Sequence, residues 1–176
     1  MIKIGCDPSF RKDGFAIAIL DENRELRFEV FTKFLHFISW VQNDMPKQTI
    51  VAIENSYLQN VTFWEKGEKY KWISVFVRAL QMIRLKMIGE IERKSRNVGM
   101  NQAASEIAYQ LFKDYAHTVK NVSPQQKGAK WSKNGIKLGR MIASSFIKQN
   151  RLKYLGDVNK LKEDELDALK MLSFVL

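Results

Sequence analysis

The sequence predicts an α/β domain in which a mixed five-stranded sheet, with its first three strands antiparallel, is flanked by helices. Residues 2–6, 15–20 and 25–31 have the alternation or the apolar runs of strands, and short polar or glycine-containing connections join them. Residues 49–54 form a β-branched apolar run, which is typical of a strand buried on both faces. Much of the remaining chain places apolar residues at helical spacing.

The first strand ends in an acid, Asp7, whose position is the first functional signal in the chain. Gly5 precedes Asp7 on the same face of the strand and has no side chain, so this face is predicted to leave room for a bulky, charged guest. Pro8 restricts Asp7 to extended backbone angles and ends the strand. The alternative interpretation is that Asp7 is an ordinary turn residue before a proline.

Helices are predicted after the third strand, where residues 33–45 form a crossover that ends before Pro46. Residues 55–72 mix lysines with aromatic residues and are predicted to form a long functional loop, and residues 73–92 form a helix with a wide apolar stripe. A fifth strand is predicted at residues 118–122.

Three more helical segments are predicted in the second half of the chain. Residues 101–115 are predicted to pack inward through Ala103, Ala104, Ile107, Ala108 and Leu111. Residues 134–149 are predicted to pack through Ile136, Leu138, Met141, Ile142, Phe146 and Ile147. Residues 161–176 form the last segment, with Leu166, Leu169 and Leu172 facing the core.

The composition indicates a single globular domain over residues 1–176 with an anionic partner. The chain has 29 Lys and Arg against 19 Asp and Glu, a formal net charge of +10, which favours a polyanionic partner, although excess lysine can also serve solubility. Nucleic acid is favoured over an acidic membrane because no strongly amphipathic basic helix is predicted at either end of the sequence. No apolar run reaches the roughly 20 residues that cross a bilayer, so no membrane partner is expected. The single cysteine, Cys6, is predicted to be a core residue and is compatible with a cytoplasmic protein.

Four carboxylates are distinguished by their positions. Asp7 and Glu54 end two strands, while Asp164 and Asp167 are three residues apart and share one helix face. If the strands are neighbours and the helix crosses their ends, the acids converge, and such a cluster requires a cation to offset its repulsion. Oxygen ligands favour Mg²⁺ or Mn²⁺. The alternative is that the helical pair consists of solvated acids near a helix start.

Four segments, taken in chain order, resemble the catalytic segments of RuvC-type Holliday junction resolvases of the phage type. They are Ile4-Gly-Cys-Asp-Pro-Ser, Ala52-Ile-Glu-Asn, Val122-Ser-Pro-Gln-Gln and Asp164-Glu-Leu-Asp-Ala-Leu. The resemblance spans nearly the whole chain. It implies an RNase H-like fold, a homodimer, and paired symmetric nicks in branched DNA that leave 5′-phosphate and 3′-hydroxyl ends.

The resemblance also implies roles for individual residues. Asp7, Glu54, Asp164 and Asp167 would be catalytic ligands of two Mg²⁺ ions, which Mn²⁺ could replace. Glu163 and Glu165 flank Asp164, so which of the three supplies the third ligand stays open. Tyr57 would wedge into the DNA junction. Lys127 and Lys130 would contact the DNA near the scissile bond, and Lys133 and Lys137 are further candidates for this contact.

Three other functions compete with junction resolution. A nuclease of the same fold could act on RNA–DNA hybrids, and a non-catalytic module could bind branched DNA through its basic surface alone. A sugar-kinase-like or actin-like ATPase also places an acid in its first hairpin, but it needs a second lobe that 176 residues cannot supply.

Overall fold

The computed structural model of the chain describes residues 1–8, 15–56 and 99–176. Its strands are β1 (Ile2–Cys6), β2 (Phe15–Leu20), β3 (Glu25–Phe31), β4 (Thr49–Glu54), β5 (Thr118–Val122) and β6 (Lys153–Tyr154). Its helices are α1 (Phe34–Asn43), α2 (residues 99–115), α3 (Pro124–Lys127), α4 (Ile136–Gln149) and α5 (Glu163–Leu172), and a 3₁₀ turn spans Val158–Lys160.

The strands form one mixed sheet in the order β5-β4-β1-β2-β3-β6. The pairs β1–β2 and β2–β3 are antiparallel, whereas β1–β4 and β4–β5 are parallel. The prediction of an α/β fold with a mixed sheet and three antiparallel opening strands is therefore confirmed. The first and fourth strands are direct neighbours, so the acids that follow or end them are brought to the same edge.

The predicted number of five strands is wrong, because the described residues form a sheet of six. The additional strand, β6, pairs in parallel with β3 through Glu25–Lys153 and Leu26–Tyr154 alone. It follows a turn in which Arg151 has a positive φ of 51°. A strand of two residues has no alternation that a sequence pattern could reveal.

The sheet is covered on both faces, which explains why β2 is buried at every position. One face packs against α1 and α2 and holds large side chains such as Phe15, Ile17 and Ile19. The other face packs against α4 and α5 and holds the small residues Ala16 and Ala18. Because the side chains of a strand alternate between faces, β2 presents large residues to one layer of helices and small residues to the other.

Gly5 continues the small-residue face, and the space beside it is filled by α5 rather than by a guest. A Cβ atom at Gly5 would lie 2.2 Å from the Leu172 backbone nitrogen and 2.3 Å from the Ala168 carbonyl oxygen. The expectation of an open space for a charged ligand at this position is wrong. The missing side chain instead allows a helix backbone to approach the sheet closely.

The inward face of α2 differs in part from its prediction. Ala104 and Ala108 are buried as expected, and Phe112 joins them. Ala103 is exposed, Ile107 is 42% exposed and Leu111 is half-buried. The buried residues follow one another at intervals of four, so the observed stripe lies beside the one that the sequence predicted.

The prediction of which residues of α4 face the core is also largely wrong. Gly139, Ala143 and Ile147 form its buried face. A set of large apolar residues predicted to point inward is exposed instead: Ile136, Leu138, Met141 and Ile142. A Cβ atom at Gly139 would lie 2.9 Å from the Leu166 side chain, so small residues let α4 pack closely against α5. The inward face of α5 is confirmed, because Leu166, Leu169 and Leu172 are fully buried.

Several predictions fall on residues outside the described ranges. These are the connection at residues 9–14, the loop after residue 56 and the helix at residues 73–92. Within the described ranges, no helix has both the length and the apolar character needed to cross a membrane. Cys6 is buried in the core, as the sequence predicted.

Candidate functional site

A polar cleft of about 120 Å³ lies at the edge of the sheet where β1 and β4 end. All four acids singled out in the sequence line it. Asp7 directly follows β1, Glu54 ends β4, and these parallel strands are in register up to the pair Cys6–Ile53. Asp164 and Asp167 reach the same cleft from α5. The expected convergence of the four carboxylates is therefore found in the structure.

The position of α5 over the strand ends depends on its local sequence. Glu165 accepts a hydrogen bond from the backbone nitrogen of Lys162 at 2.6 Å, which fixes the first turn of the helix. The first turn carries Glu163, Asp164 and Glu165, whose charges favour the positive end of the helix dipole. The acids of this first turn therefore stabilise the start of α5, in addition to any role in the cleft.

The structure distinguishes among the three adjacent acids of that turn. Asp164 lines the cleft, whereas Glu163 is exposed and accepts a hydrogen bond from Lys130 at 3.2 Å. Glu165 is used in the helix cap. Of the three, Asp164 is therefore the residue that lines the cleft with Asp7, Glu54 and Asp167.

Lys127 is the central basic residue of the cleft. It ends the one-turn helix α3, which Ser123 caps by accepting a hydrogen bond from the backbone nitrogen of Gln126 at 3.2 Å. Only 6% of Lys127 is exposed. Its Nζ donates to the Asp7 Oδ2 atom at 2.5 Å and also to the Glu54 Oε2 atom. One ammonium group thus joins the acids of two strands.

The charges in this cleft shift one another's ionisation. Burial raises the pKa of Glu54 to about 7, with a further rise from the charge of Asp7, although Lys127 opposes both effects. Burial alone would lower the pKa of Lys127, but the charges of Asp7, Glu54 and Asp167 outweigh it and raise that pKa. Lys127 therefore keeps its positive charge at neutral pH.

Asp167 is the most deeply buried acid of the site, with 2% of the residue exposed. Its Oδ2 atom lies 2.6 Å from the Nζ atom of Lys130. Its Oδ1 atom is buried and has no hydrogen-bond partner among the described residues. Burial raises the pKa of Asp167 despite the two lysines nearby. A buried carboxylate oxygen without a partner is costly.

Three neighbours of the acids were missed from the sequence. Ser56 and Asn101 line the cleft, and Lys170 donates to the carbonyl oxygen of Ala129 in the segment that follows α3. Burial lowers the pKa of Lys170, and the charge of Lys127 lowers it further. Lys170 follows Asp167 by three residues on the same helix, and this spacing was a usable signal. Ser56 and Asn101 left no signal of comparable strength.

The other predicted DNA-binding residues lie away from the acids. Lys133 precedes α4 and Lys137 is in its first turn, and both are exposed. Neither lines the cleft that holds Lys127 and Lys130. Tyr57 lies outside the described residues.

In the part of the chain that the structure describes, no three acidic, histidine or cysteine side chains stand ready to hold a metal ion together. The ammonium group of Lys127 lies between two of the four acids instead. Comparison with protein-family models gives no match, and a search of the curated proteins gives none either.

Proposed function

We propose that the chain is a metal-dependent endonuclease that resolves four-way or branched DNA junctions by paired symmetric nicks. The observation that carries this proposal is the meeting of Asp7, Glu54, Asp164 and Asp167 in one cleft, on a protein whose formal net charge is +10. Acids concentrated at one point of a protein with a positive net charge fit a cation-binding centre that acts on a polyanion.

We infer an RNase H-like fold for the domain. The three antiparallel opening strands and the parallel neighbours β4 and β5 support it. On this view, β6 is a short addition beside β3. The resemblance of the sequence to RuvC-type resolvases supplies the preference for junctions and the homodimer.

The donor set fits Mg²⁺ or Mn²⁺, which bind carboxylate oxygens in preference to softer ligands. Asp7 and Glu54 already direct oxygen atoms at one positive group, and the buried Asp167 Oδ1 atom lacks a partner among the described residues. Asp164 would complete the set. Divalent ions bound there would supply an activated water and stabilise the departing oxygen.

The chain's own residues have separate tasks in the proposed reaction. Water adds to phosphorus, the bond to the 3′ oxygen breaks, and that oxygen takes a proton, which leaves a 5′-phosphate and a 3′-hydroxyl. The acids hold the site at the strand ends. Lys130, which is partly exposed at the cleft, and the exposed Lys133 and Lys137 can neutralise phosphate charge on the approaching strand.

The test uses the purified protein and a labelled four-way junction whose branch point can migrate. Incubation with Mg²⁺ is expected to give nicks in two opposite strands at matching positions, and EDTA is expected to abolish them. The Asp7→Asn variant should bind the junction but leave it uncut. A wild-type protein that binds without cutting in Mg²⁺ or Mn²⁺ would show that the enzyme assignment is wrong and favour a binding module.

A second substrate separates the proposal from its nearest rival. The same preparation is offered an RNA–DNA hybrid duplex of equal length and a linear DNA duplex. Faster cutting of the hybrid than of the junction would replace junction resolution with hybrid hydrolysis. Equal cutting of linear and branched DNA would remove the selectivity for structure.

A further inference from the structure

The ammonium group of Lys127 occupies the position in the cleft where cation charge is needed. It contacts both Asp7 and Glu54, and 4% of its side chain is exposed. A lysine is rarely this buried unless it is paired with acids. The pairing is also costly to remove, because two carboxylates with only 20% and 12% of their side chains exposed would lose their shared counter-charge.

Lys130 completes the arrangement on the other side of the cleft. Its Nζ atom lies 2.6 Å from Asp167 Oδ2 and 3.2 Å from Glu163 Oε1. Lys127 and Lys130 come from one short stretch of chain, at the end of α3 and just after it. This stretch therefore brings two positive charges to acids from β1, β4 and α5.

The lysines neutralise the negative charge of the acids only in part, and this favours the binding of a divalent ion in place of Lys127. The Asp167 Oδ1 atom stays buried without a partner among the described residues, although both lysines are nearby. A lysine ammonium has one charge, whereas Mg²⁺ and Mn²⁺ carry two and accept more oxygen ligands. Exchange of the lysine for such an ion would therefore increase the positive charge facing the acids.

The local structure permits the lysine to leave. Lys127 is followed by Gly128, which has a φ of 67° and a ψ of −161°, and no described residue lies within 4 Å of the place where its side chain would be. The lysine stem has four rotatable carbons, so its charge can move by several ångströms without backbone change. The strand ends that hold Asp7 and Glu54 belong to the buried sheet and can stay in place.

We propose that Lys127 is an exchangeable counter-cation: it holds Asp7 and Glu54 together before metal binds, and it leaves when a divalent cation enters. This inference rests on the metal-dependent function proposed above. It assigns to Lys127 a positioning role toward the acids, in addition to the contact with DNA that the resemblance implies. The predicted consequence is that Lys127 and the metal ion compete for the carboxylates of Asp7 and Glu54.

The first test measures Mn²⁺ binding by electron paramagnetic resonance, without DNA, for wild type and for Lys127→Gln. Removal of the competing charge should tighten Mn²⁺ binding about tenfold, which corresponds to about 1.4 kcal/mol. Lys113→Gln is the matched control, because it removes one exposed lysine from α2, away from the cleft. The control should bind Mn²⁺ like wild type.

The second test needs no variant and so does not depend on whether Lys127→Gln folds. Reductive methylation of wild type, followed by peptide mass spectrometry, reports the accessibility of each lysine. Lys127 should be protected in EDTA and become labelled several-fold faster in Mg²⁺, while the labelling of exposed Lys113 should not change.

The outcomes separate this inference from the proposed function. Mn²⁺ binding that is equal in wild type and Lys127→Gln, or weaker in the variant, overturns the inference and leaves the metal site standing. Unchanged protection of Lys127 in Mg²⁺ overturns it as well. Absence of Mn²⁺ binding in both proteins overturns the inference and the proposed function together.

Discussion

Gly5→Ala is the substitution that most directly tests how the fold builds the site. The new Cβ atom would lie 2.2 Å from the Leu172 nitrogen and 2.3 Å from the Ala168 oxygen, whereas ordinary contacts of this kind lie at 3.4–4 Å. Both opposing atoms belong to the backbone, so rotation of a side chain cannot relieve the overlap. Helix α5 would have to withdraw from the sheet by about 1 Å.

The expected loss of stability in Gly5→Ala depends on the side chains that α5 packs against the sheet. Leu166, Leu169 and Leu172 are fully buried, and they contact the small residues of β2. A gap of this size forfeits much of the dispersion energy along the interface. Overpacking costs 1–3 kcal/mol in general, and the rigid backbone places this case near about 3 kcal/mol. That is a large part of the 5–15 kcal/mol typical of a domain.

Urea unfolding followed by circular dichroism gives the free energy of unfolding. Gly99→Ala is the matched control, since a Cβ atom there meets none of the described residues within 4 Å and the position lies in α2. The control should match wild type or be more stable by up to about 1 kcal/mol. Because Asp167 moves with α5, Gly5→Ala should also weaken Mn²⁺ binding. Equal midpoints for the two variants would refute the reasoning.

Three further predictions concern the charges of the site. The pKa of Glu54, about 7 in the folded protein, exceeds its reference value of 4.5, so metal-free stability should fall as pH rises from 5 to 7. In urea titrations, Glu54→Gln should reduce this pH-dependent decrease in the free energy of unfolding by up to about 3 kcal/mol. Burial disfavours the charge of Asp167, so at pH 8 without metal the Asp167→Asn variant should have a higher urea midpoint than wild type, while its cation-dependent cleavage is abolished. Lys133→Gln and Lys137→Gln should each reduce the slope of log affinity against log salt by about 1 in anisotropy titrations with junction DNA in EDTA.

Each of these predictions has an opposing result. If the stability of Glu54→Gln depends on pH as that of wild type does, a group other than Glu54 is responsible for the pH dependence. Lower stability of Asp167→Asn would mean that its pairing with Lys130 outweighs the cost of burial. Unchanged salt slopes would show that the exposed lysines near the start of α4 do not contact phosphates.

The parts of the site that the sequence predicted are those set by local pattern. Alternation placed Asp7 at the end of the first strand, a β-branched apolar run placed Glu54 at the end of the fourth, and a spacing of three placed Asp164 and Asp167 on one helix face. Their convergence required the parallel pairing of β1 and β4, which no local pattern specifies. The resemblance to a family supplied that step.

The parts that could not be predicted depend on distant partners. Lys127 lies 120 residues from Asp7 and 73 from Glu54 in the chain, so nothing near it indicates burial. The face of α4 was mispredicted for a related reason. Large residues usually mark the buried side of a helix, but here Gly139 and Ala143 are buried because α5 leaves little space.

The burial of Lys127 bears on how an acidic centre can fold before it meets a metal. Carboxylates gathered at strand ends repel one another, and without a counter-charge their repulsion would oppose the packing of α5 on the sheet. Lys127 and Lys130 offset that repulsion from within the chain. The domain therefore need not depend on metal for its fold, in contrast to small domains in which metal binding supplies the folding energy. The same lysines lower the gain on metal binding, since the ion must replace contacts that already exist. Stability without metal and affinity for metal are thus opposed at this site, and the charges of these two lysines set the balance between them.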